Sequence, residues 1–169
     1  MFATSAIAFH TVLSLIAIVS GACVMIALVK NRRPGMCTLL FLVTMIATEV
    51  TGFLLPAPKL MPSHLFGIIA LVLLALVLLA HYAFHFTGVW RWIYAVSMGI
   101  AVYLNVFVLV TQLFVKVPAL HALAPNAPDN PEPPFLIAQA LLLAIFIWLI
   151  WLIWKAGEEF PRDGGGVGS

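Results

Sequence analysis

The chain has 169 residues, of which 64% are hydrophobic and only 8% are charged, and its formal net charge at pH 7 is +2. An ordinary soluble domain carries about 25% charged residues, and a soluble fold could not hide this much apolar surface. The lysines and arginines are too few and too dispersed to form a phosphate-binding face, so we expect no nucleic acid as a partner.

The hydrophobic residues come in five long blocks, which in chain order predict spans over residues 7–29, 37–55, 64–84, 93–114 and 135–154. A run of about 18 or more apolar residues is long enough to cross the bilayer as a helix. Lipid offers no hydrogen bonds, so every backbone amide must be satisfied within the protein, as it is in a helix. The blocks lack the two-residue alternation of a membrane barrel strand. The sequence therefore predicts an all-α fold: a polytopic membrane helix bundle of five transmembrane helices in one domain, residues 1–155.

The connections between these spans contain residues that break helices. They include Arg33-Pro34-Gly35 after the first span, Pro56-Ala57-Pro58 after the second and Thr87-Gly88 after the third. Residues 116–134 contain six prolines and are predicted to form an external loop across the outer surface. Residues 156–169 end in a glycine-rich sequence, which predicts a flexible cytoplasmic tail.

Lysine and arginine are shared unequally between the two sides of such a bundle. Lys59 and Lys116 fall on one side, whereas six residues fall on the other: Lys30, Arg32, Arg33, Arg91, Lys155 and Arg162. Positive residues concentrate in cytoplasmic loops, so the N-terminus is predicted outside and the C-terminus in the cytoplasm. Trp148, Trp151 and Trp154 are then predicted to anchor the last span at the membrane surface.

The chain contains two cysteines, Cys23 and Cys37, and both fall toward the cytoplasmic ends of their spans. Disulfides are rare in the cytoplasm, and a free cysteine behaves as a small apolar residue. We therefore expect two buried thiols rather than a disulfide.

Glu49 is the clearest ionisable residue inside a predicted span, with Thr48 and Thr51 beside it. A charged group at the centre of a bilayer costs about 2.5 to 3.5 kcal/mol on insertion scales, so its presence needs a reason. Glu49 must either be protonated or face a polar partner. A hydrogen bond to a neighbouring helix and a proton-handling or ligand-binding role are both open explanations.

Further polar side chains of the spans gather in their outer halves, at His10, His64, Asn105, Gln112 and Gln139. Asn105 and Gln112 are seven residues apart, which places them on one face of a helix. The distribution predicts a polar pocket of Asn105, Gln112 and Gln139, which opens outward under the proline-rich loop that carries His121. Interhelical hydrogen bonds alone would also explain the amides.

Histidines raise the question of a haem or a metal ion. A b-type haem needs two histidines at similar depth on different helices, and His10 with His64 meets this requirement on the outer side. A copper or zinc ion bound by these two residues with His121 or Glu49 is the related hypothesis. His81 and His85, four positions apart on one helix, are a weaker metal candidate, since no other helix end completes the ligand set.

Motifs of common enzymes are missing from the sequence: it has no phosphate-binding glycine loop, HExxH, CxxC or nucleophile elbow. We therefore favour a non-catalytic integral membrane protein, an accessory or structural subunit that packs against other membrane chains or against copies of itself. One alternative is a haem- or metal-binding redox protein with an outward-facing histidine site. A second is a proton-coupled carrier that uses Glu49, although five spans give no paired halves for alternating access.

The last third of the chain contains the segments YLNVF at 103–107, KVPALHALAP at 116–125 and PPF at 133–135. This stretch resembles one found in small uncharacterised bacterial multi-pass membrane proteins. The resemblance implies a location in the bacterial inner membrane and adds interest to Asn105, Gln112 and His121. It implies no reaction.

Overall fold

A computed structural model describes residues 2–32, 35–54 and 62–158, without the side chains of residues 2–4, 62–64 and 158. The described residues form helices and turns with no β-strand. The α-helices are α1 (Phe2–Val29), α2 (Gly35–Leu54), α3 (Pro62–Leu78), α4 (Trp90–Lys116), α5 (Pro118–His121) and α6 (Pro133–Glu158). A π-helical turn, Leu79–Ala83, continues α3.

Five segments of these helices are long and apolar enough to cross a membrane: Ser5–Val29, Gly35–Leu54, Leu65–Ala83, Trp90–Lys116 and Pro133–Gly157. The predicted all-α fold with five membrane-spanning helices is confirmed at this level, by length and composition. The predicted orientation of the termini stays a prediction. The predicted loop at 56–58 and residues 159–169 of the predicted tail lie outside the described part of the chain.

Helix α4 is the central helix of the bundle. It packs against α1, α3 and α6, and its Tyr94 and Asn105 side chains also contact α2, which packs on α1 and α3. Buried residues lie on several sides of α4, and they include the small residues Gly99 and Ala101 beside the fully buried Tyr94 and Met98. Small residues let helix backbones approach closely in a membrane protein, where packing rather than water drives helix association. The sequence of α4 thus suits it to contact several neighbours.

Gly21 marks the closest approach of α1 to the rest of the bundle. A Cβ atom at this position would lie 2.7 Å from Cγ2 of Val102 on α4 and 3.0 Å from the ring of Phe41 on α2. Both of those side chains are buried. A larger residue at position 21 would therefore push α1 away from two helices at once.

The two ends of the bundle differ in composition. We call the end formed by residues 28–32, 84–95 and 153–157 the arginine end, and the opposite one, capped by residues 117–132, the proline-rich end. At the proline-rich end, Ala124 and Ala127 are buried against Phe114 and Phe135. The Glu132 carboxylate accepts hydrogen bonds from Asn126, so the loop folds back on the ends of α4 and α6.

The α1–α2 hairpin contains a disulfide between Cys23 and Cys37. Our expectation of two separate buried thiols was therefore wrong. The short connection between antiparallel helices brings residues that are 14 positions apart to a Cα–Cα distance of 6.2 Å, within the range that a disulfide requires. Cys23 is also exposed on the surface of the bundle rather than buried.

Candidate functional site

His10 is fixed against α2 near the proline-rich end. Its Nδ1 atom lies 3.0 Å from the hydroxyl oxygen of Thr51. Its Cε1 atom lies 3.3 Å from the position that a Cβ atom would occupy at Gly52, so the ring rests on the glycine backbone. The ring is thus held between α1 and α2 by one hydrogen bond and one close contact.

Asn105 joins three helices in the interior of the bundle. The Ser14 hydroxyl of α1 donates to its Oδ1 atom at 2.8 Å, and its Nδ2 atom donates to the Met45 sulfur of α2 at 3.4 Å. Asn105 itself is on α4 and is buried. The side chain therefore acts as an interhelical link, which is one of the two explanations that the sequence left open.

The other amides of the predicted pocket have different surroundings. Gln139 on α6 is buried, and its Nε2 atom lies 3.2 Å both from the Phe107 carbonyl oxygen and from the Thr111 hydroxyl oxygen, on α4. Gln112 and His121 are exposed. The hydrogen bonds of Asn105 thus go to α1 and α2, and neither Gln112 nor Gln139 is among its hydrogen-bond partners.

Glu49 lies on the side of α2 that faces α3. Its carboxylate oxygen Oε2 lies 2.8 Å from the position that a Cβ atom would occupy at Gly67, so the carboxylate rests close to the backbone of α3. The side chain is half-buried, and it forms no hydrogen bond or ion pair with the described residues. Glu49 therefore differs from Asn105 and Gln139, whose side-chain amides donate hydrogen bonds to neighbouring helices.

The predicted outer histidine site is described only in part. His64 lies in the first turn of α3, and its side chain is outside the described residues. Among the described residues, no three histidine, cysteine, aspartate or glutamate side chains are grouped so that they could bind a metal ion. His10 and His121 both lie toward the proline-rich end, but His10 packs against α2 and the exposed His121 is on α5.

The π-helical turn separates the environments of His81 and His85. His81 packs edge-on against Tyr82 and Phe86, and its Nδ1 atom is buried without a hydrogen-bond partner among the described residues. His85 lies beyond the turn with a backbone φ of 47° and is exposed. The four-residue spacing that suggested a shared helical face therefore crosses the end of the helix.

A cavity that the sequence did not predict lies at the arginine end. It has a volume of about 250 Å³ and is bordered by the end of α1, the segment after the π-helical turn, the start of α4 and Ile153 of α6. Its polar lining comes from Asn31, Arg32, His85 and Arg91. The one sequence feature that pointed to this cavity was the prediction that Arg32 and Arg91 lie on the same side of the membrane.

Arg91 is held in place at one wall of this cavity. Its Nη2 atom donates to Asn31 Oδ1 at 2.8 Å, and Asn31 Nδ2 donates to the backbone carbonyl of Ala156 at 3.2 Å. The guanidinium also lies 5.8 Å from the centre of the Trp92 ring. These contacts tie α1, α4 and α6 together and fix the position of one positive charge.

No model of a known protein family matches the chain, and neither a curated protein nor a solved structure matches it.

Proposed function

We propose that the chain is a non-catalytic integral membrane protein that serves as an accessory or structural subunit of a larger assembly in a bacterial inner membrane. The buried polar side chains support this role. Asn105, Gln139 and Tyr94 form hydrogen bonds between helices, to Ser14, Thr111 and Thr38 respectively. Polar groups used in this way stabilise a helix bundle.

The observation that carries the proposal is the exposed face of α6. Helix α6 contacts α4 and α1 through one side, and its other side exposes Trp148, Trp151 and Trp154 by half or more of their surface. Trp154 near the helix end suits an anchor at the membrane surface. Trp148 lies six residues before Trp154, which places it roughly 9 Å deeper, inside a hydrocarbon core about 30 Å thick.

An anchoring role does not explain a tryptophan at that depth. Large aromatic side chains are enriched at the buried centres of protein interfaces, where they contribute most of the binding energy. We therefore assign the Trp148 face of α6 to contact with a helix of another membrane chain.

The test is purification of the tagged chain from its native membrane in a mild detergent, with identification of every copurifying chain and its ratio. We expect a fixed ratio to one larger assembly, lost in Trp148→Ala and kept in Val43→Ala, which changes an equally exposed apolar residue of α2. An optical spectrum and elemental analysis of the same sample test the redox hypothesis for His10 and His64. A lone chain of 18.4 kDa, or a stoichiometric haem or metal, would contradict the subunit role.

A second candidate function rests on Glu49. Ionisable side chains inside spanning helices often mark proton relays or ion pathways. A carrier that uses it should lose proton-coupled flux in liposomes when Glu49 is replaced by glutamine, whereas Thr48→Val should retain the flux. Equal flux in the wild type and in Glu49→Gln excludes Glu49 as the coupling group.

A further inference from the structure

The arginine-end cavity combines positive charge with a bounded space. Arg32 and Arg91 line it together with Asn31 and His85. The Arg32 side chain forms no hydrogen bond or ion pair with the described residues, although its backbone amide donates to the Ala27 carbonyl at 2.8 Å. One guanidinium is thus positioned by Asn31, and a second is directed at the same space without a partner in the described part of the chain.

The backbone beside the cavity is strained. His85 and Phe86 have φ values of 47° and 61°, in the left-handed region that residues other than glycine seldom adopt. The π-helical turn Leu79–Ala83 directly precedes them. Strained backbone and π-helical turns both concentrate at functional sites, and here they place His85 in the cavity wall.

Aromatic residues locate the cavity relative to the membrane. Phe84 stacks on Trp90 with ring centres 3.8 Å apart, and Trp92 contacts Trp154 at 6.1 Å. Tryptophans at the ends of spanning helices lie at the level of the lipid headgroups. The cavity therefore opens where phosphate groups of lipids are concentrated.

We propose that this cavity binds a phosphate group, that of an anionic lipid headgroup, between Arg32 and Arg91. The planar guanidinium group matches phosphate oxygens with two parallel hydrogen bonds, and the Asn31 and His85 side chains add further donors. Basic pockets between spanning helices bind anionic headgroups in this way. A water-soluble phosphate compound would offer the same chemistry, so the experiment has to separate the two sources.

The experiment measures binding of short-chain phosphatidylglycerol to the full chain in neutral maltoside micelles, with short-chain phosphatidylcholine and inorganic phosphate as comparisons. We expect saturable binding of phosphatidylglycerol, and a loss of about tenfold or more in affinity in Arg32→Gln, since a hydrogen bond to a charged group contributes on that scale. Lys30→Gln is the matched control, because Lys30 is an exposed cation at the same end that does not line the cavity. Its affinity should stay within about twofold of the wild type.

Each outcome decides the proposal. Inorganic phosphate that competes at a similar concentration identifies a soluble phosphate compound as the ligand, and failure to compete identifies the lipid headgroup. Equal losses in Arg32→Gln and Lys30→Gln would show attraction by the general surface charge and overturn the site. Absence of saturable binding, in protein whose thermal unfolding matches the wild type, would overturn it as well.

Discussion

The half of the bundle next to the proline-rich end, here called the proline-rich half, differs from the arginine end in whether certain polar side chains have hydrogen-bond partners. In the first, two pairs of side chains form hydrogen bonds across helices, Ser14 with Asn105 and Thr111 with Gln139. At the second, Arg32 lines a cavity without a partner among the described residues. A paired group stabilises the fold, whereas an unpaired group in a cavity is available to a ligand. The partner of a polar residue, more than its depth in a span, therefore indicates its role.

The largest expected loss of stability comes from removal of the disulfide that joins α1 and α2 toward the arginine end. Closing a loop of about 15 residues restricts the unfolded chain by roughly 3 kcal/mol. We expect Cys23→Ser to lower the free energy of unfolding in mixed micelles by up to that amount. Adding reductant to the wild type should have the same effect and should leave the variant unchanged. Equal stabilities of the oxidised wild type and Cys23→Ser would contradict the disulfide.

Asn105→Ala tests the paired half directly. It removes the acceptor of the Ser14 hydroxyl, and hydrogen bonds between membrane helices contribute about 0.6 kcal/mol on average and up to about 1.7 kcal/mol. Because Asn105 also contacts Met45, we expect a loss near 1 kcal/mol, measured by titration with a denaturing detergent. Ser14→Ala in the Asn105→Ala background should cost little more. Additive losses would show that the two residues do not interact.

Gln139 and Gln112 compare a buried glutamine with an exposed one, and the expected changes in stability are smaller. We expect Gln139→Ala to lower stability by about 0.6 kcal/mol, because it removes the hydrogen bond to Thr111 while also removing an oxygen that is buried without a partner among the described residues. The exposed Gln112→Ala should change stability by less than about 0.5 kcal/mol. The same unfolding titration measures both. A larger loss in Gln112→Ala would return that residue to the interior pocket that the sequence predicted.

Arg32→Gln should have the smallest effect on stability. Substitutions at exposed positions usually change the free energy of unfolding by less than about 0.5 kcal/mol, and Arg32 is exposed. Unfolding measured in the absence of added anionic lipid checks this. A loss as large as that of Asn105→Ala would make Arg32 a structural residue and would remove the difference between the two halves.

The spans could be predicted from the sequence because lipid imposes a length and an apolar composition on each of them. The interior residues Asn105 and Gln139 were also recognisable as polar groups that need partners. The exposure of Gln112 was not, since a seven-residue spacing defines a helix face without defining how far neighbouring helices cover it. Near the proline-rich end, the neighbouring helices leave Gln112 exposed on that face of α4.

The arginine-end cavity could not be predicted for a different reason. Arg32 follows α1 and Arg91 opens α4, so only the packing of these helices brings the two side chains to one space. The disulfide was not predicted, because the cysteines were expected near the cytoplasmic side, where disulfides are rare. The geometry of a tight antiparallel hairpin, which brings Cys23 and Cys37 together, was the stronger constraint.

The central place of α4 has a consequence for biosynthesis. Helix α4 follows α1, α2 and α3 in the chain, so α1 and α3 are made before the helix on which they pack. Helix α2 contacts both of them and can hold the three together during that interval. The contacts of α2 with α1 and α3 can thus form first, and those of α4 are added once that helix has been made.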